Sequence, residues 1–222
     1  MFGIIKRYLD WSALNDRSYE FLFDALGTDE VVSLDCETTG LNPRKDDIVS
    51  IGAVKIKGSR ILTSKCFHVK VKPKAELAAN SIKVHQIRNA DVAGEGPIRS
   101  ELPGFLRFIG NRPLVGYWIS FDVRMLNKEI FKMLNITLQN RTVDVCDMYY
   151  ERKYSNAPPG TKIDLRFAAI LEDLQLPPLQ AHDALNDAIS AAQMYVVLKD
   201  LAARGVHLKR VRNWDQPGVP LG

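Results

Sequence analysis

Cysteine is scarce in this 222-residue chain, with three in all. Cys36, Cys66 and Cys146 cannot all pair, and none sits in a Cys-x-x-Cys spacing. A disulfide framework is therefore excluded, and reduced thiols fit better, with Cys36 and Cys146 as small core residues. No apolar run approaches the ~20 residues that span a bilayer. The start, Met1 to Arg7, has too short an apolar part for a signal peptide and lacks a cleavage site. The expected location is cytoplasmic, with no membrane partner. Glycine (14) and proline (11) are too few for a collagen-like or low-complexity chain, and there is no internal repeat. Charge of one sign is also lacking: 30 basic against 26 acidic residues leave +4, which permits a phosphate-bearing partner without demanding one. What remains, 46% hydrophobic and 25% charged, is the balance of a globular domain.

The spacing predicts three regions, 1–30, 31–204 and 205–222. Ile4, Ile5, Tyr8, Leu9 and Trp11 recur near helical spacing, and Phe21, Leu22, Ala25 and Leu26 form a second run closed by Gly27. They are expected to make an N-terminal helical extension packed on the domain. Strands follow over about 31–37, 48–57 and 62–71, with a Gly58-Ser59 turn between the last two, which reads as an antiparallel meander. From Pro97 onward helices and strands alternate. Helices are expected near 98–108, 122–134, 145–154, 165–174 and 184–203, and short strands at 113–117 and 142–144. A meander followed by crossovers makes an α/β mixed sheet flanked by helices. Pro217, Gly218 and Pro220 mark residues 205–222 as a tail.

Three segments carry chemistry. Asp35 and Glu37, two apart on a strand, leave the same face, while Leu34 and Cys36 point into the apolar layer. Two such carboxylates repel each other unless a divalent cation neutralises them, although a solvated strand edge would look the same. Next, Leu114 to Asp122 delivers a strand to a turn and a helix starting near Asp122, which is either functional or a complement to the helix N-terminus. The third is His182-Asp183-Ala184-Leu185-Asn186-Asp187-Ala188. With Asp183 as N-cap, His182 lies in the preceding loop and can swing over the site that Asp187 faces. Ala184, Ala188, Ala191 and Ala192 let that helix pack closely on the sheet.

Strand Asp-x-Glu, then Phe-Asp at a helix start, then His-x-x-x-x-Asp at a later helix resembles the DEDD exonuclease superfamily in its DEDDh branch. The likeness runs from about Val31 to Leu198, and Leu34 to Leu41 and His182 to Ala188 are close matches. It implies a ribonuclease H-like fold and a 3′-to-5′ exonuclease releasing nucleoside 5′-monophosphates, with DNA favoured. Asp35, Glu37, Asp122 and Asp187 would hold two Mg²⁺ or Mn²⁺ ions, and His182 would be the general base. Thr38, Leu41 and Phe121 would line the pocket of the terminal nucleotide. His85 would lie near it, or be structural, and Asp144 would support the site without being a ligand. A free 3′ end is the implied partner, and a polymerase is a further one. An RNA-trimming enzyme and a non-catalytic polymerase-associated module are the alternatives.

One segment departs from the branch. Tyr117-Trp118-Ile119 stands where the branch has His-Asn-Ala. Trp118 would either stack on a base or belong to the core, and the core is the plainer reading. Among the scattered basic residues, Lys70 to Lys74 and Arg152 to Lys162 are expected to flank the cleft.

Overall fold

The computed structural model describes residues 2–25 and 27–209. Leu26 and the 210–222 part of the expected tail lie outside the described residues. The chain opens with helix α1, Phe2–Ala13, and a 3-10 helix, Arg17–Phe23. The second run is thus a tight 3-10 segment starting earlier than the spacing predicts. Its start is set by Asp16, whose carboxylate accepts the Ser18 N–H at 2.9 Å. Leu14, Tyr19 and Leu22 are buried in the main core. Helix α1 itself is tied down by polar contacts: Lys6 Nζ donates to Thr137 Oγ1 at 2.6 Å, and Gln139 Nε2 donates to Asp10 at 2.6 Å. Ile5, Tyr8 and Leu9 stay exposed, so these three do not dock as the spacing predicts.

Three strands, β1 (Glu30–Thr38), β2 (Ile48–Lys57) and β3 (Arg60–Lys70), form the antiparallel meander. Two short helices that the sequence reading lacks follow, α2 (Ala79–His85) and α3 (Asn89–Val92). Four to seven residues carry too few helical repeats to show a period. Then come α4 (Ile98–Ile109), β4 (Leu114–Gly116), α5 (Ile119–Leu134), β5 (Thr142–Asp144), α6 (Val145–Lys153), α7 (Phe167–Asp173) and α8 (Ala184–Ala203). Helix α5 starts three residues before Asp122, because Trp118 caps it from a left-handed conformation (φ 52°).

The sheet order is β3-β2-β1-β4-β5, with β4 and β5 parallel to β1. One face is apolar along its length, where Leu34, Cys36, Ile51 and Ala53 pack with α4 and α5. The other packs Val54, Ile56 and Val115 against α6, α7 and α8 at one end. At its other end lie Asp35 and Glu37.

Candidate active site

Four elements bring the acidic residues together. On β1, Asp35 is paired in register with Gly52 of β2, and Glu37 with Ser50. The first turn of α8 sits directly over Gly52. A Cβ there would run into the backbone of Ala184 and Leu185, so only glycine lets the helix close on the sheet beside Asp35. The sequence reading does not pick out Gly52, since its constraint comes from a helix that starts 132 residues later.

Helix α8 begins as expected. Asp183 is the N-cap, its Oδ1 accepting the Asn186 N–H at 3.0 Å. His182 precedes it in a left-handed conformation (φ 62°), and its N–H donates to Asp187 Oδ2 at 3.1 Å. Glu37, His182 and Asp187 each offer a ligand atom, all within 4.8 Å of one another. Asp122 arrives from the far side of the sheet in the first turn of α5. Strand β1 pairs with β4 only at Val32 and Ser33, which leaves the Cys36 N–H beyond the end of β4. Asp122 Oδ1 accepts it at 3.1 Å, satisfying a backbone donor and fixing the carboxylate beside β1.

Burial drives the electrostatics. It pushes Asp35 well above the carboxylate range, and Asp122, Glu37 and Asp187 push it further. Burial likewise lifts Asp122, against the Cys36 N–H that favours its charged form. Glu37 is raised to about 7 by burial and then by Asp187 and Asp183. Burial raises Asp187 too, opposed by the His182 N–H and imidazole. Among the described residues no Lys or Arg neutralises these groups, so protons or a bound cation must. Four carboxylates, with one imidazole beside them, suit a hard divalent ion.

The remaining expected residues are spread around this cluster. The Thr38 hydroxyl donates to the Gly40 carbonyl at 2.8 Å, and Leu41 is 86% exposed on the same loop. Phe121 is half-buried against the core beneath α5. Trp118 is 57% exposed, which overturns the core reading. Tyr117 takes the inner position instead, packed edge-on against Phe167 and donating its hydroxyl to the Leu165 carbonyl at 2.9 Å. Asp144 Oδ1 accepts the N–H groups of Trp118 (3.2 Å) and Cys146 (2.9 Å), which holds that turn.

His85 is buried, at 3% exposure, and lines a cavity of about 200 Å³ with Ser50, His68, Lys70, His182 and Asp183. Its Nδ1 accepts the Ile87 N–H at 3.1 Å and burial lowers its pKa, so the neutral ring carries its proton on Nε2. Of the expected basic flanks, Lys70 borders this cavity, whereas Lys74 pairs with Asp47 and Glu129. Lys153 is committed to Asp173 at 2.6 Å and is a structural cation.

Five non-glycine residues have positive φ among the described residues. Gln86, Asn135 and Gln175 follow helix ends, where that conformation is ordinary. Trp118 and His182 instead precede helices that carry site carboxylates, Asp122 on α5 and Asp187 on α8. Such conformations cost ~1–3 kcal/mol and gather at functional sites.

Known proteins share this architecture. PolC-type DNA polymerase III of Thermotoga maritima is 31% identical over 169 residues, 74% of this chain but 11% of that protein. The chain thus spans about a tenth of the length of the PolC-type polymerases it matches. DNA polymerase III subunit epsilon of Rickettsia prowazekii is 30% identical over 175 residues, covering 75% of this chain and 72% of that one. Among solved structures, exonuclease X in complex with 5′ overhanging duplex DNA superposes with a TM-score of 0.61 at 22% identity, covering 78% of this chain and 93% of that one. The nuclease domain of 3′hExo, a DEDDh family member bound to rAMP, gives 0.62 at 15% identity, covering 85% and 99%. These two likenesses establish the fold. The RNase_T exonuclease family model matches residues 32–195, a stretch that holds all four carboxylates and His182, and the chain belongs to that family.

Proposed function

We propose that residues 31–204 form a 3′-to-5′ exonuclease domain that hydrolyses terminal phosphodiesters and releases nucleoside 5′-monophosphates. The convergence of Asp35, Glu37, Asp122 and Asp187 on one sheet end, with no basic side chain among the described residues to neutralise them, carries this reading. These four would hold two Mg²⁺ or Mn²⁺ ions. Bound there, the ions would lower the pKa of the attacking water and stabilise charge on the scissile phosphate and leaving 3′ oxygen.

The chain's own residues do the rest. His182 is the general base: held over Asp187 by its backbone, it takes a proton from the attacking water on its imidazole. Thr38, Leu41 and Phe121 seat the terminal nucleotide, and the exposed ring of Trp118 stacks on a base in place of the branch's polar contact. His85 lies behind His182 and supports that side of the pocket. DNA is the favoured substrate, a polymerase the favoured partner and the cytoplasm the expected location, by likeness to the DNA polymerase III proteins.

Digestion of 5′-labelled single-stranded DNA, duplex DNA and short RNA, with either cation, tests this reading. A ladder shortening from the 3′ end, fastest on DNA, is expected, with circular single strands left intact. Rapid cutting of circles would reject the exonuclease assignment. Faster trimming of RNA would move the substrate assignment to the ribonuclease alternative.

A further inference from the structure

A groove of about 850 Å³ runs between the β1–β2 loop and the outer side of α5, lined by Asn42, Pro43, Arg44, Arg124, Lys128 and Lys132. Arg124, Lys128 and Lys132 are spaced i, i+4, i+8, so they form one stripe along the helix. Arg44 faces them from the loop. Lys128 clamps the two walls together, donating to the Asp46 carbonyl and lying 3.4 Å from Asp47 Oδ1. The loop is itself rigid, with the Asn42 N–H on Asp46 at 2.7 Å and the Arg44 N–H on Asn42 at 3.0 Å.

Nearby carboxylates temper but do not cancel this charge. Glu129 takes Lys132 at 2.7 Å, and Asp47 and Glu129 share Lys74 and Lys128. Among the described residues, Arg44 and Arg124 have no carboxylate within ion-pair distance, and both are exposed. Arg44, Lys74, Arg124, Lys128 and Lys132 outnumber Asp46, Asp47 and Glu129 by five to three.

The groove's walls adjoin the acidic site along the chain, with Arg124 on the outer side of α5 and the buried Asp122 on its inner side. Asn42 follows Leu41 directly, and Arg124 lies two residues after Asp122. From Asp122 to Lys132 the helix rises ~15 Å. That spans about four phosphates at ~3.4 Å per nucleotide of a duplex strand.

We infer that the Arg44–Arg124–Lys128–Lys132 groove is a second nucleic-acid site that holds the phosphate backbone away from the cleaved terminus. The inference rests on the exonuclease reading for its choice of ligand. It assigns the attraction of a polyanion to a face separate from the carboxylates, which repel one. The phosphates belong either to the strand being cleaved or to its complement.

The test is fluorescence anisotropy with wild type and the Arg44→Gln/Arg124→Gln double variant. Neither arginine holds another described side chain, so the fold is spared. The probes are labelled DNA strands of 3, 6, 12 and 24 nucleotides with phosphorothioate 3′-terminal linkages, plus a 24-nucleotide duplex with a recessed 3′ end, in Mg²⁺ over 50–200 mM salt. Wild-type affinity should rise with length. The variant should lose ~10-fold or more at 24 nucleotides and far less at 3. The slope of log Kd against log salt should become shallower by about 1.4 on single strands, for two contacts at ~0.7 each. Loss on single strands and duplex together places the cleaved strand in the groove, and loss on duplex alone places the complement there. Equal Kd values for wild type and variant on both the 24-nucleotide strand and the duplex, or a single-strand loss independent of length, overturn the proposal. Cleavage of unmodified strands reports separately on the exonuclease reading.

Discussion

The two faces of the sheet are built from the same strands and do opposite work. Along β1, Val32, Leu34 and Cys36 alternate with Ser33, Asp35 and Glu37. The first set is sealed under α4 and α5, and each side chain there gains from burial. The second set is also largely buried, but at its end burial works against the charged groups it encloses. One face holds the fold together, and the other stores repulsion that protons relieve at low pH and a bound cation would relieve at neutral pH. A substitution should therefore damage either stability or activity according to its parity on the strand.

Asp35→Asn is the sharpest way to break that comparison. It should lower cleavage by several orders of magnitude, where each tenfold corresponds to ~1.4 kcal/mol of barrier. Thermal stability of the metal-free protein should be unchanged or higher, since one of four mutually repelling carboxylates is gone. A variant that unfolds more readily would place Asp35 among the structural residues. His182→Ala should reduce kcat by ~10²–10⁴-fold while substrate affinity changes little, as for loss of a general base.

Leu34→Ala, one residue from Asp35 on the opposite face, should behave in the reverse manner. Deleting a fully buried leucine costs ~2–5 kcal/mol, read as a lower denaturation midpoint, while kcat of the folded fraction persists. Trp118→Ala should have the smallest effect. Its ring is mostly outside the core, so stability should barely move while KM on single strands rises by an amount worth ~1–3 kcal/mol for every sequence tested. Lost stability with unchanged KM would reject the stacking role.

Much of this division can be read from the chain, because it follows local rules. Strand alternation separates Leu34 and Cys36 from Asp35 and Glu37, and the Asp183 cap puts His182 outside α8. What escapes the sequence is decided across long separations. Gly52 resembles any strand glycine until α8 is laid on it. Trp118 passes for core because the left-handed turn that Asp144 holds, and that turns its ring outward, is set 26 residues downstream. The basic residues are equally ambiguous in sequence. Lys153 meets a carboxylate, whereas Arg44 and Arg124 line a groove only because the β1–β2 loop folds against α5.

The central claim, that the polar end of the sheet is built for a divalent cation, is tested most directly by thermal unfolding from pH 5 to 8, in chelator and in Mg²⁺ or Mn²⁺. Glu37 has its folded pKa raised to about 7 from 4.5, so the folded state binds the extra proton. In chelator its contribution is complete below about pH 4.5 and is lost as pH rises through about 7, on the order of 3 kcal/mol for this group. The account predicts a Tm that falls across this range without metal, recovers on adding the cation, and recovers most at pH 8. A Tm that is flat with pH in chelator and indifferent to either cation would contradict it.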